Sequence, residues 1–196
     1  TSMPFVMGHE IVGTVTQVGS AVHSVHVGDR VVLQPALGCT VRGIEPPCLY
    51  CADGDAALCS NVANGVISPG IQTGFCRDTG GGFSESLVAH ESQVFKVPSE
   101  MSDEAGVLIE PFACALHAAL RVEVDSSHTV LVIGCGSIGL LTIAALRATG
   151  CAARVVAVAR YDHQRILARE LGADEVLGSP RSIDTRYREW GKVLDA

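Results

Sequence analysis

Residues 5–13 read Phe-Val-Met-Gly-His-Glu-Ile-Val-Gly, which sets His9 beside Glu10 in an otherwise apolar run. Imidazole and carboxylate are both competent metal ligands, so the pair points to one part of a metal site whose remaining ligand lies elsewhere. A second constellation is Cys48-x-x-Cys51-x7-Cys59, three thiols on a Gly- and Pro-rich stretch with too little apolar content to fold by itself. A tetrahedral zinc would hold that stretch, and it needs a fourth ligand. Cys39 and Glu45 are the candidates. Thiolate is the softer match for a structural zinc, whereas Glu45, three residues before Cys48, has the more regular spacing. The third constellation is Gly134-x-Gly136-x-x-Gly139, with Ser137 and Ile138 between the last two glycines.

That glycine motif follows the apolar run Val130–Ile133 and opens a helix-like segment, the context in which it binds a dinucleotide pyrophosphate. Gly134 permits the tight turn, Gly136 lets phosphate approach the backbone, and Gly139 allows close helix–strand packing. The residues from Gly134 to Gly139 are therefore the expected cofactor loop. An NAD site usually carries an acid about twenty residues on; here Ala159 stands twenty residues past Gly139, and Arg160 follows. An acid would repel a 2′-phosphate and an arginine can pair with one, so NADP is favoured over NAD, with Arg165 as an assisting cation.

These constellations need elements to position them. The chain has 196 residues, 47% of them hydrophobic and 18% charged, enough to bury a real core. A net charge of −7 argues against binding a phosphate backbone, so no nucleic-acid partner is expected. Thr129–Leu146 carries no charge, but glycines interrupt its middle, and a strand–turn–helix unit explains it better than a membrane span. Of the remaining cysteines, Cys76, Cys114, Cys135 and Cys151 read as small buried apolar residues. Residues 10–34 and 83–97 read as short strands and turns, 38–82 mostly as loop, and Ser102 to Arg121 as helix. After residues 122–127 strands alternate with helices, the pattern of a parallel, doubly wound sheet, and a final helical patch leads into Lys192–Ala196. The boundary is placed at 123/124, with a zinc lobe at about 38–62.

Gly8-His9-Glu10-x-x-Gly13-x5-Gly19-x-x-Val22, Gly28–Val31, the cysteine lobe, Gly81–Phe83, Glu110–Ala118 and the glycine loop occur in the order found in one family. The chain resembles the zinc-dependent branch of the medium-chain dehydrogenase/reductase superfamily along nearly its whole length. The resemblance implies an α/β protein: a partial GroES-like catalytic domain (1–123) and a partial Rossmann domain (124–196). It also implies a catalytic zinc, a structural zinc and NADP or NAD. By match, His9 is a zinc ligand, Glu10 a ligand or close partner, and Glu110 falls where alcohol dehydrogenases proper use cysteine. A glutamate there looks more like the polyol, threonine and glucose dehydrogenases. The family's first zinc-binding cysteine lies upstream of the Gly-His-Glu motif, so the chain reads as a fragment. The expected function is hydride transfer between an alcohol or polyol and NAD(P), in a cytoplasmic protein that is homo-oligomeric at full length. The competing expectation is an inactive fragment that only binds zinc or a dinucleotide.

Overall fold

The computed structural model describes residues 2–179 and 192–195, the last four through their backbone. By packing, the chain divides into two compact units, Thr1–Glu110 and Pro111–Ala196.

In the first unit, β1 (Val12–Thr14), β2 (Arg30–Leu33) and β3 (Val94–Lys96) form an antiparallel sheet with β2 in the middle. Val12 lies opposite Val32, and Val32 opposite Phe95. The strand character expected across 83–97 is confined to β3. Residues 91–93 instead form a 3-10 turn that buries Gln93, whose amide donates to the carbonyls of Gln34, Pro35 and Ala36 and to Thr73 Oγ1. A side chain rather than a ladder thus satisfies those loop carbonyls. The 38–82 region is loop apart from α1 (Leu49–Ala52) and a 3-10 turn at Ala56–Leu58.

The helix expected from Ser102 to Arg121 is two helices, α2 (Asp103–Val107) and α3 (Ile109–Leu120). Ser102 caps the first, accepting from the Ala105 N–H at 3.2 Å. Pro111 accounts for the break at Leu108: it has no N–H, and its ring would collide with the Val107 carbonyl in a continuous helix, whereas the first turn of α3 tolerates it. The division between the two units falls inside α3, upstream of the 123/124 boundary. Beyond Glu110 the helix buries Ala115 and Ala119 with the second unit's core. Cys114 lies off that face and is exposed, and Cys151 is half-buried, so the expectation of burial holds for Cys76 and Cys135 but not for these two.

The second unit is a parallel sheet of β4 (His128–Ile133), β5 (Arg154–Val158), β6 (Glu175–Leu177) and β7 (Lys192–Asp195) in the order β6-β5-β4-β7. This is the strand order of the first four strands of a doubly wound dinucleotide-binding sheet. Helices α4 (Ser137–Ala148) and α5 (Asp162–Glu170) are the connections from β4 to β5 and from β5 to β6. Val130, Val132, Val155, Ala157, Ile143 and Leu146 are at most 2% exposed and form its core. The helical patch expected before Lys192 lies outside the described residues. No helix among the described residues is long and apolar enough to cross a membrane.

Candidate metal and dinucleotide sites

His9, Glu10 and Glu110 each offer one ligand atom, and these atoms all lie within 4.8 Å of one another. A hundred residues of sequence separate the carboxylates, and the first unit's packing closes that gap. Gly82 N–H donates to the Gly8 carbonyl and Phe83 N–H to the Met7 carbonyl, both at 2.9 Å, pinning the segment that bears His9. The Phe75 ring lies 5.8 Å from the imidazole and 5.7 Å from Phe5, an apolar wall beside the metal-competent group. Gly106 brings Glu110 in: a Cβ at that position would sit 2.7 Å from Val12 Cγ2, so only glycine lets α2 approach β1 this closely. Glu110 follows four residues later in the first turn of α3, where the helix dipole favours a carboxylate.

Cys39, Cys48, Cys51 and Cys59 form a second group with all four sulfurs within 4.8 Å of one another; Glu45 is outside it. A tetrahedral zinc with bonds of about 2.3 Å requires sulfurs about 3.8 Å apart. Cys39 Sγ and Cys59 Sγ are 3.7 Å apart, so the donor set fits that ion. Backbone and amide N–H groups already point at the sulfurs. Cys39 Sγ accepts from Cys48 N (3.3 Å) and Asn61 Nδ2 (3.4 Å), Cys51 Sγ from Cys39 N (3.4 Å), and Cys59 Sγ from Asn61 N (3.4 Å). Such donors orient and stabilise thiolates around a metal.

They also split the thiols. Asn61 and then the Cys48 N–H hold the Cys39 thiol below its ordinary range, and the Cys51 N–H, helped by Ser60, holds Cys48 down at about 6. Burial pushes Cys51 up to about 12 and raises Cys59. Asn61 carries no motif and could not be picked out from spacing.

In the second unit, the turn after β4 runs from Gly134 into α4, whose N-cap is Gly136. A Cβ on Gly139 would lie 1.9 Å from the Gly134 carbonyl oxygen, so the third glycine is obligatory for the close turn. A Cβ on Gly136 would meet nothing within 4 Å, which leaves the open side of the turn free for a phosphate. Ser137, Ile138 and Gly139 form the first turn of α4, where N–H groups have no intrahelical acceptor. Arg160 stands just past β5, its guanidinium 5.4 Å from the centre of the Tyr161 ring, which itself stacks on His163 at 5.7 Å. Among the described residues no carboxylate lies within 4 Å of Arg160, whereas Arg165 faces Asp162 at 3.3 Å and donates to the Arg160 carbonyl at 2.8 Å. Tyr161 is a further residue that no motif singled out.

The profile of the alcohol dehydrogenase GroES-like domain matches residues 1–99, half of the chain. The chain belongs to this family. Among relatives of this family member, L-idonate 5-dehydrogenase of Vitis vinifera is 33% identical over 190 residues, covering 97% of the chain and 48% of that protein. A zinc-binding dehydrogenase of Sinorhizobium meliloti, solved bound to NADP, is 32% identical with a TM-score of 0.76 over 94% of the chain and 48% of its own. An alcohol dehydrogenase of Escherichia coli CFT073, solved with NADH, is 30% identical with a TM-score of 0.79 over 98% of the chain and 54% of its own. The chain thus spans about half the length of these relatives. Its α/β architecture, with an antiparallel GroES-like sheet and a parallel sheet, is the one they share.

Proposed function

We propose that the protein bearing this chain is a zinc-dependent oxidoreductase that transfers a hydride between an alcohol or polyol carbon and a nicotinamide dinucleotide, with NADP preferred. The observation that carries the reading is the convergence of His9, Glu10 and Glu110 within 4.8 Å from opposite ends of the first unit. Bound there, zinc supplies Lewis acidity that lowers an alcohol's pKa and readies its carbon to give a hydride to the nicotinamide.

The chain's residues do the positioning. His9 and Glu110 are the ligands, and Glu10, more exposed than either, ligates or holds a ligand in place. Phe75 and Phe5 keep the imidazole side apolar, which strengthens the ligand contacts by excluding water. The four-cysteine group is read as the structural zinc site of the lobe. In the second unit the Gly134–Gly139 turn takes the pyrophosphate. Arg160 pairs with the 2′-phosphate, and Arg165, committed to Asp162 and the Arg160 carbonyl, assists by holding the backbone after β5 at Arg160.

The test is a fluorescence titration of the zinc-loaded protein with NADPH and NADH, followed by a turnover assay with polyols. The expected result is tighter NADPH binding, and in Arg160→Ala a loss of NADPH affinity of about ten-fold or more with NADH little changed, since a charge-assisted phosphate contact is worth about 1.5–3 kcal/mol. Equal weakening of both cofactors would contradict the role given to Arg160. Binding of zinc and NADPH without turnover would instead make these 196 residues a binding module.

A further inference from the structure

Arg42 is the largest fully buried side chain among the described residues, with 0% exposure. Its Nε donates to the Leu37 carbonyl at 3.0 Å, its Nη1 to Asn64 O at 2.9 Å and towards Ile67 O and Ser68 O at 3.4 and 3.5 Å, and its Nη2 to Gly70 O. Five carbonyls therefore occupy the guanidinium fork, yet among the described residues no carboxylate lies within 4 Å of it. A buried cation without a counter-charge is costly, because carbonyl dipoles replace only part of its hydration. The charge that could answer it lies one turn away. Arg42 N–H bonds to the carbonyls of Gly38 and Cys39, both at 3.1 Å, and Cys39 belongs to the four-cysteine group. Four thiolates around a divalent ion carry a net charge of −2.

We propose that Arg42 is the internal counter-cation of the metal-loaded cysteine lobe and the latch through which loading at Cys39, Cys48, Cys51 and Cys59 orders residues 62–76. This rests on reading the cysteines as a zinc site. The latch has a backbone half, since Val66 N–H donates to the Arg42 carbonyl at 3.0 Å and Gly70 N–H to Val62 O at 2.9 Å. It continues beyond the lobe. Cys76 Sγ donates to the Ser68 carbonyl at 3.2 Å, and the next residue back, Phe75, is the ring against His9. Arg42 is thus a positioning residue: it holds the loop segment that follows the lobe, and that segment carries the wall of the other metal site. Thermodynamic linkage requires the effect to be mutual, so ordering 62–76 must also strengthen metal retention.

The test compares zinc-loaded and zinc-stripped protein by hydrogen exchange at the Val66, Gly70 and Phe75 amides, with cysteine alkylation to report occupancy of the lobe. Zinc is expected to shield the four cysteines and to slow exchange at Val66 and Gly70 by about ten-fold or more. Arg42→Gln is expected to release lobe zinc to a chromophoric chelator about ten times faster and to abolish the zinc dependence of exchange. Arg42→Lys keeps the charge but not the planar fork, and so restores part of the zinc retention, the part due to charge, without restoring the exchange protection. Shielded cysteines with exchange indifferent to zinc would overturn the latch and leave the zinc reading standing; cysteines that zinc does not shield would overturn both. Release of zinc from Arg42→Gln at the wild-type rate would overturn the counter-cation. Where Arg42→Gln does not fold, the wild-type exchange comparison still tests the latch, and zinc release from Arg42→Lys, expected to stay close to the wild-type rate, tests the counter-cation.

Discussion

Each of the four cysteine sulfurs that converge in the lobe needs a reason to be a thiolate, and Asn61 and the neighbouring backbone N–H groups provide it for Cys39 and Cys48. The sequence left Cys39 and Glu45 as rivals for the fourth position because spacing is measured along the chain, whereas the loop folds Cys39 back to within 3.7 Å of Cys59. Cys39→Ser is expected to remove one zinc per chain, and Glu45→Gln to remove none, as measured by atomic absorption after gel filtration. Zinc lost from Glu45→Gln and kept by Cys39→Ser would reverse the assignment. Asn61, Arg42 and Tyr161 were not legible at this scale. Their partners are backbone carbonyls, sulfurs or another ring, and no residue-type pattern announces such contacts.

Elements do their work here through close approach and capping. Gly106 sits where α2 meets β1, and adding a methyl has two opposed effects. Alanine raises helix propensity by about 1 kcal/mol. Its Cβ would also press on Val12, a β-branched residue with little rotamer freedom, so the helix rather than the valine must give way. Gly106→Ala is therefore expected to leave overall stability within about 1 kcal/mol. It should nevertheless weaken zinc binding at the His9 site by about ten-fold through displacement of Glu110, measured by competition with a chelator. Unchanged affinity would mean that α2 does not set the position of Glu110.

The turn entering β4 offers a pH test. Asp125 Oδ1 accepts from Ser127 Oγ at 2.6 Å and Ser127 N at 2.8 Å and faces His128 Nδ1 at 2.8 Å. These contacts, Ser127 foremost, hold its pKa down at about 2 against an ordinary 3.8. A depressed carboxyl pKa stabilises the fold above the ordinary value, and that stabilisation drains away as pH falls through the folded one. Asp125→Asn should melt below the wild type at neutral pH, with the gap closing between about pH 4 and pH 2. A gap that persists unchanged at pH 2 would show that the turn draws nothing from the charge.

Across the whole molecule, legibility divides between the two units. The second announces itself because buried parallel strands are continuous apolar runs, and Val130–Ile133 and Val155–Ala159 are that kind of run. The first unit is less legible because side chains such as Gln93 and Arg42 tie its long loops together, and periodicity says nothing about them. The split of Ser102–Arg121 into α2 and α3 was written in Pro111, but apolar recurrence across it masked the break. The hundred-residue reach from His9 to Glu110 followed from family resemblance rather than from any local pattern, and it is the claim on which the chemistry depends. The direct measurement is zinc content per chain, by atomic absorption, in the wild type, His9→Ala and Glu110→Gln, each with its cysteine lobe intact. Two zinc ions in the wild type and one in each variant is the expected result, with the cysteines still shielded from alkylation. Two ions retained in both variants would show that His9 and Glu110 do not share a metal.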